Sequence, residues 1–379
     1  MMIYILLIFM NLQALSLGLY IHVPFCANEC AYCHFLKSRP TAQAIDLYLK
    51  KIEKECLFWK TKLNNHPINT IFWGGGSPSC LSIEAIYKLN DCFQFNTNTL
   101  EEWTVEVSPV TISLEKLHAF KSIGVTRISM GIQSFNEQTL KQLGRKQTAK
   151  HVYQAYQWIR DTGFSNVNLD LIFPPDFSSI QNWKQDLQAA IQLAPEHIST
   201  YCLTYENESG PFTEQAHQNV DINKEADFYE FTWQFLQDHG YNHYEVSNFS
   251  KPYYACKHNL NTWQMQEWIG FGPSAASQFQ NHRFQNLFDL KTWEVNHYIN
   301  EEFLTEETML KDCLIFGLRT CQGIDLSKLQ KRFPSIDLNT YFPLWEKFQK
   351  ENLISIENNI LKCTRKGLLL ADSLALEIL

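Results

Sequence analysis

Tyr20-Ile21-His22-Val23-Pro24-Phe25-Cys26-Ala27-Asn28-Glu29-Cys30-Ala31-Tyr32-Cys33-His34-Phe35 is the stretch on which the reading of this chain turns. It leaves an apolar segment, 17–23, that reads as a strand, and enters a loop with three cysteines at spacing CxxxCxxC. Cysteine thiolates are soft ligands that favour iron–sulfur clusters and zinc. A four-iron cluster has four corners to ligate. Cys26, Cys30 and Cys33 fill three and leave one iron open, where the amino and carboxylate groups of S-adenosylmethionine can chelate. One electron from the reduced cluster then breaks the sulfonium C–S bond and yields a 5′-deoxyadenosyl radical. The competing reading of the spacing is a structural zinc site completed by His22 or His34. The aromatic residue before the third cysteine, and the place just after the first strand, favour the cluster.

Downstream, strand-like and helix-like segments alternate. Strands are expected at 69–76, 102–109, 125–134, 165–173 and 197–205, with helices at 41–63, 82–93, 113–124, 136–144, 151–164 and 179–195. Short apolar strands separated by helices imply a parallel sheet, either curled into a barrel or left open. In both forms the functional residues gather at the C-terminal ends of the strands. Residues 207–245 read as a helical stretch and a return. From 246 the alternation stops, and 303–379 read as mostly helical with a short strand pair near 352–364. The expected organisation is a hydrophobic extension, 1–16, an α/β core, 17–250, and a smaller, mainly helical C-terminal domain, 251–379.

Composition narrows the class. Apolar residues make up 45% of the 379 and charged residues 19%, values of a folded enzyme-like chain with a large core. The formal net charge of −8 opposes broad electrostatic binding to nucleic acid. Eleven irregularly spaced cysteines do not form a disulfide framework and point to a reducing compartment, so a cytoplasmic location is expected. The first ten residues, MMIYILLIFM, are apolar but shorter than the roughly 20 that a membrane span needs. No Lys or Arg precedes Lys37, which argues against a signal peptide and for a short extension or a true start at Met10.

With its aromatic residue before the last cysteine, the cysteine motif resembles that of radical S-adenosylmethionine enzymes, and the resemblance continues along the chain. Gly74-Gly75-Gly76-Ser77-Pro78-Ser79 ends the second strand, where glycines let the backbone approach a ligand. The set YIHVPFC, GGGSPS, RISMGIQSF, LGR, NLDLIF and PEHISTYCLT is similar to the oxygen-independent coproporphyrinogen oxidase branch over nearly the whole chain, from Leu17 onward. The fold implied is a partial parallel (β/α) barrel. The resemblance implies cofactor contacts from Tyr20, Tyr32, Gly76, Ser77, Pro78, Glu106, Gln133, Arg145, Asp170 and Ala276, with Glu106 accepting from the ribose hydroxyls. Read from the residues alone, Glu106, Arg145 and Asp170 also fit a structural ion-pair network at the barrel rim.

Two sub-branches compete. The oxidase, a radical decarboxylase of coproporphyrinogen III propionates, carries a fourth cysteine two positions after the third and a long N-terminal extension. This chain has Phe35 there, and about 16 residues before the first strand. The HemW haem chaperones share both features and carry an HNxxYW motif linked to haem, matched here by His258-Asn259-Leu260-Asn261-Thr262-Trp263 with Thr in place of Tyr. His258 then offers an imidazole to haem iron and Trp263 an apolar face to the porphyrin. The resemblance implies haem as cargo, recipient haemoproteins and a reducing electron donor as partners, and peripheral membrane contact during delivery. Phe173-Pro174-Pro175-Asp176-Phe177 departs from the GLPGQ-like loop of the branch, and Glu106-Val107-Ser108-Pro109 from its EANP; both changes touch the cofactor mouth.

Overall fold

The computed structural model describes residues 16–28, 30, 32–33, 35–63, 66–174, 176–203 and 222–379. Almost all of the hydrophobic extension, His34, Pro175 and the first part of the stretch expected from 207 lie outside the described residues.

Six strands, β1 (Leu17–Val23), β2 (Ile68–Gly75), β3 (Glu102–Val107), β4 (Arg127–Gln133), β5 (Val167–Phe173) and β6 (His197–Cys202), run parallel in sequence order. Helices α1 (Ala42–Leu63), α2 (Ile83–Cys92), α3 (Leu114–Ser122), α4 (Glu137–Gln142), α5 (Ala149–Asp161) and α6 (Ile180–Gln192) lie in their crossovers. Ser82, Ser113, Asn136 and Ser179 each accept from the first turn of the helix that follows, so the sequence marks those helix starts chemically.

Strands buried on both faces usually read as continuous apolar runs. These alternate instead. In β1, Leu17, Leu19, Ile21 and Val23 are fully buried in the main core, with Tyr48 and Ile52 of α1. Between them stand Gly18, Tyr20 and His22. The same period of two gives Glu102, Thr104 and Glu106 on β3, Arg127, Ser129, Gly131 and Gln133 on β4, Asn168 and Asp170 on β5, and His197, Ser199 and Tyr201 on β6. One face of the sheet is apolar and packs on the helices. The other is polar and lines the barrel interior.

After α7 (Ile222–Asp238), the antiparallel pair β7 (Asn242–Glu245) and β8 (Asn248–Ser250) closes one side of the sheet against β6. A short helix, α8 (Lys257–Trp263), follows. The chain then crosses back: β9 (Glu267–Phe271) pairs parallel with β1, and β10 (Ala276–Phe279), β11 (His282–Asn286) and β12 (Tyr298–Phe303) extend that edge. The described sheet has 12 strands, ordered β12-β11-β10-β9-β1-β2-β3-β4-β5-β6-β8-β7. It is an open, partial barrel with a largely parallel centre. The change of character expected at residue 250 falls inside it. A separate apolar core forms later, from Leu310 and Leu314 of α9 (Glu306–Gly317) through Trp345, Phe348 and Leu361 to Leu374, beside a three-stranded sheet.

Candidate cofactor site

The cysteine loop is closed by its own backbone. The Cys26 amide donates to Ser38 O (3.1 Å), the Ser38 amide to Pro24 O (2.5 Å) and the Cys33 amide to Cys30 O (3.2 Å). Lys37 Nζ reaches back into the turn, donating to Cys33 O (2.7 Å) and Cys30 O (3.4 Å). The glycine turn after β2 docks beneath this loop: the Gly76 amide donates to Val23 O (2.9 Å) and the Ser77 amide to Phe25 O (2.8 Å). Only glycine fits there, because a Cβ on residue 76 would stand 2.6 Å from Phe25 O. Gly75 has φ of +102°, and a Cβ there would meet the His22 ring at 2.7 Å.

His22 is fully committed. One ring nitrogen, Nδ1, bonds Tyr20 Oη (3.1 Å) and the other, Nε2, Leu36 O (3.2 Å). Burial pushes its pKa down to about 4, so the ring is neutral. With neither nitrogen turned to the thiols, His22 is not the fourth ligand that a zinc site requires. Tyr20 lies with it beneath the site rather than in its lining. Burial and the neighbouring thiols, Cys80 first, push Cys26 up to about 12.

Cys26, Cys30 and Cys33 line one cavity of about 640 Å³ at the C-terminal ends of β1–β6. Gly76 and Ser77 form one wall. Glu106, Gln133, Arg145 and Asp170 line it too, each from a different strand or loop, with Glu106 beside the glycine turn. Arg145 follows α4 and clamps the cysteine loop, its Nε and Nη2 donating to Tyr32 Oη at 3.0 and 2.7 Å. It is a tether for that loop rather than a free cation. Gln133 has φ of +64° where the β4–β5 register slips, a bulge that re-aims its side chain. Asp170 accepts from Asn168 Nδ2 (2.7 Å) and Ser129 Oγ (3.1 Å). Burial, reinforced by Asp170, pushes Glu106 up to about 8. Ser79 braces the turn, bonding Ser77 Oγ (2.9 Å) and Thr111 Oγ1 (2.5 Å), while Pro78 opens a buried 3-10 turn and does not line the cavity.

Three further placements differ from expectation. Ala276 is exposed at the start of β10 and absent from the cavity lining. The turn before it, not Ala276, sits beside β1: a Cβ on Gly272 would stand 2.5 Å from His22 O. His258 lies near the opposite end of the barrel. It is 7% exposed, its Nδ1 bonds Thr70 Oγ1 (2.9 Å), and its ring packs 5.3 Å from that of Phe72. Trp263 turns away from it, toward Phe316 (6.0 Å) and Arg319 (5.4 Å). Glu102 holds this segment at the barrel floor, accepting from Cys256 Sγ (3.3 Å), Lys257 N (3.2 Å) and His258 N (3.2 Å). Burial, aided by the charge of Arg127, lowers the His258 pKa to about 4. The two residues expected to meet haem therefore pack against different neighbours, His258 on Thr70 and Phe72 and Trp263 on Phe316 and Arg319.

The cavity also recruits residues that motif reading passed over: Cys80, Thr111, Lys146, Tyr201 and Cys202. Tyr201 and Cys202 end β6 and were findable by the rule that parallel sheets act at strand C-termini. The loop after Asp170 packs Phe177 onto Leu143, Ile172 and Leu203, with Tyr32 against the same cluster. It has become an apolar side wall behind the cysteine loop.

The donor set suits an iron–sulfur cluster and S-adenosylmethionine: three thiols on one loop, a glycine cradle a Cβ would fill, and two carboxyls lining the same cavity. Two matches bear this out at the level of family. Residues 20–186 match the radical SAM superfamily, and 304–370 the HemN C-terminal domain. The haem chaperone HemW of Lactococcus lactis is 31% identical over 328 residues, 83% of this chain and 84% of that protein. The chain belongs to the HemW family. The haem chaperone HemW of Bacillus subtilis is 30% identical over 93% of this chain and 96% of its own length. Among solved structures, coproporphyrinogen III oxidase (HemN) from Escherichia coli, described as a radical SAM enzyme, superposes with a TM-score of 0.81 over 96% of this chain and 90% of its own. At 24% identity that likeness speaks to the fold alone.

Proposed function

We propose that this HemW-family chain is a haem chaperone that binds haem and passes it to recipient haemoproteins. The observation that carries the reading is end-to-end similarity to haem chaperones, together with Phe35 at the position where the oxidase branch has a cysteine. Phe35 is 65% exposed at the cavity rim, an apolar face rather than a ligand.

Cys26, Cys30 and Cys33 would hold the cluster, and the Gly74–Ser77 turn the methionyl end of S-adenosylmethionine. Glu106 and Asp170 would accept from its ribose hydroxyls, with Gln133 reaching from the bulge. When bound, this pair of cofactors supplies reductive cleavage of a sulfonium C–S bond. Arg145 and Lys37 keep the cysteine loop in place, and Phe177 with its apolar neighbours keeps water from its back. Among the described residues no helix is long and apolar enough to cross a membrane. Cytoplasmic residence, with membrane contact at delivery, is part of the proposal.

The test is spectroscopy of the anaerobically reconstituted protein with haem, with and without S-adenosylmethionine, followed by transfer to an apo-haemoprotein. Haem binding and transfer are expected. Absence of haem binding rejects the chaperone reading, and conversion of coproporphyrinogen III to protoporphyrinogen with a reduced cluster would replace it by the decarboxylase.

A further inference from the structure

Arg127 stands in the barrel interior, 2% exposed. Strand register fixes its height. On β4 it pairs with Thr104, while the next inward residue, Ser129, pairs with Glu106 and donates to Asp170, and Gly131 pairs with Asp170. Arg127 is therefore one inward position below the two carboxyls that line the cavity. Its Nη1 makes a long bond to Thr104 Oγ1 (3.5 Å), and its Nε has no hydrogen-bond partner among the described residues.

A buried guanidinium needs anions around it. From β6 and α8 it is faced by His197 and His258, both held neutral by burial and by Arg127 itself. From β7 and the turn before α8 come Tyr244 and Cys256, whose protons burial retains. Tyr20 of β1 faces Glu106 and Tyr201 of β6 faces Asp170 and Glu106, both tyrosines keeping their protons. The carboxyls that remain are Glu102, Glu106 and Asp170. Glu102 is spent on the start of α8.

We infer that Arg127 is a positioning residue for the cofactor, set beneath Glu106 and Asp170 to keep them available as hydrogen-bond acceptors for the ribose hydroxyls. The inference rests on the reading that this cavity takes S-adenosylmethionine. A protonated carboxyl must donate one of its bonds, whereas a carboxylate accepts from both hydroxyls of a diol. Burial drives Glu106 and Asp170 toward the protonated form, and the charge of Arg127 opposes it in both.

Calorimetric titration of S-adenosylmethionine across pH tests this on cluster-loaded wild type, Arg127→Met and Arg127→Lys, with iron content measured on each. The ligand's own ammonium titrates alike in all three, so differences between the profiles report the protein. For Arg127→Met, affinity at neutral pH is expected to fall about tenfold, with the pH midpoint for tight binding rising by about one unit. Iron content should be unchanged, and Arg127→Lys should return the midpoint toward wild type. Equal weakening at every pH, or no change, overturns the inference. Arg127→Gln replaces the methionine variant should that variant not fold. If wild type binds no S-adenosylmethionine at any pH, the reading of the cavity itself fails, a result distinct from an unshifted midpoint.

Discussion

The two ends of one barrel interior use the same residue types to opposite ends. At the C-terminal mouth, Glu106, Gln133 and Asp170 line a cavity beside three thiols, even though Asn168 and Ser129 steady Asp170. Near the N-terminal floor, equally polar side chains are paired among themselves: Glu102 with the start of α8, Thr70 with His258, and His197 with Asn168 (2.6 Å) and Tyr244 (2.7 Å). A polar residue inside this sheet is a binding group or a bolt according to its height along the strand, not its chemistry. His258 shows the cost of ignoring height: its motif reads as a haem ligand, but its position is that of a bolt.

The largest test of the contrast is Cys30→Ser. Reconstituted wild type should carry about four irons per chain and the variant close to none. Retention of iron would break the assignment of the mouth. Next, Glu106→Gln should weaken S-adenosylmethionine by roughly 10- to 100-fold above pH 8, where the wild-type carboxylate is ionised, while iron is retained, since the acceptor of a charge-assisted pair is lost. At the floor, Glu102→Ala strands two backbone amides and a thiol, and should cost about 2–4 kcal/mol in denaturant titration with iron unchanged. His258→Ala should cost about 1–3 kcal/mol and leave haem binding intact. Haem loss from a stably folded His258→Ala protein would show that the floor opens to cargo.

The smallest effect is a pH slope. The Glu106 carboxyl rises from 4.5 to about 8 on folding, so the folded protein holds its proton more tightly than the unfolded chain. That contribution is complete below about 4.5 and is lost as pH rises toward 8. Tm of the cofactor-free protein should fall between about pH 6.5 and 8, above the range in which the buried neutral histidines add a slope of opposite sign, and fall less in Glu106→Gln. Glu55 and Glu245, raised to about 8 and about 7 by burial, leave a residual slope of the same sign.

Local patterns carried much of this into the sequence. Strands β1–β6 and their helices were legible because alternation, caps and turn residues are short-range signals. The cysteine loop and the glycine turn were legible because their spacing is itself the chemistry. What escaped depends on distant pairing. Nothing in Glu267–Phe271 says that it crosses back to β1, so the strand–helix alternation reads as ending near 246, and the expected cofactor contact at Ala276 comes from the resemblance alone. The polar face was written plainly in Gly18, Tyr20 and His22, or Arg127, Ser129 and Gly131, yet period-two polarity cannot say which of those residues is at the mouth.

β9 beside β1 has a bearing on biogenesis. The strand that presents the cysteine loop acquires its second neighbour from residues 267–271, some 250 positions later in synthesis. At ribosomal speeds of roughly 5–20 residues per second, that interval is on the order of 10–50 s. Until then β1, which leads into the cysteine loop, has one open edge. The motif and the sheet around it are thus completed far apart in synthesis, the second waiting on the return of a distant strand.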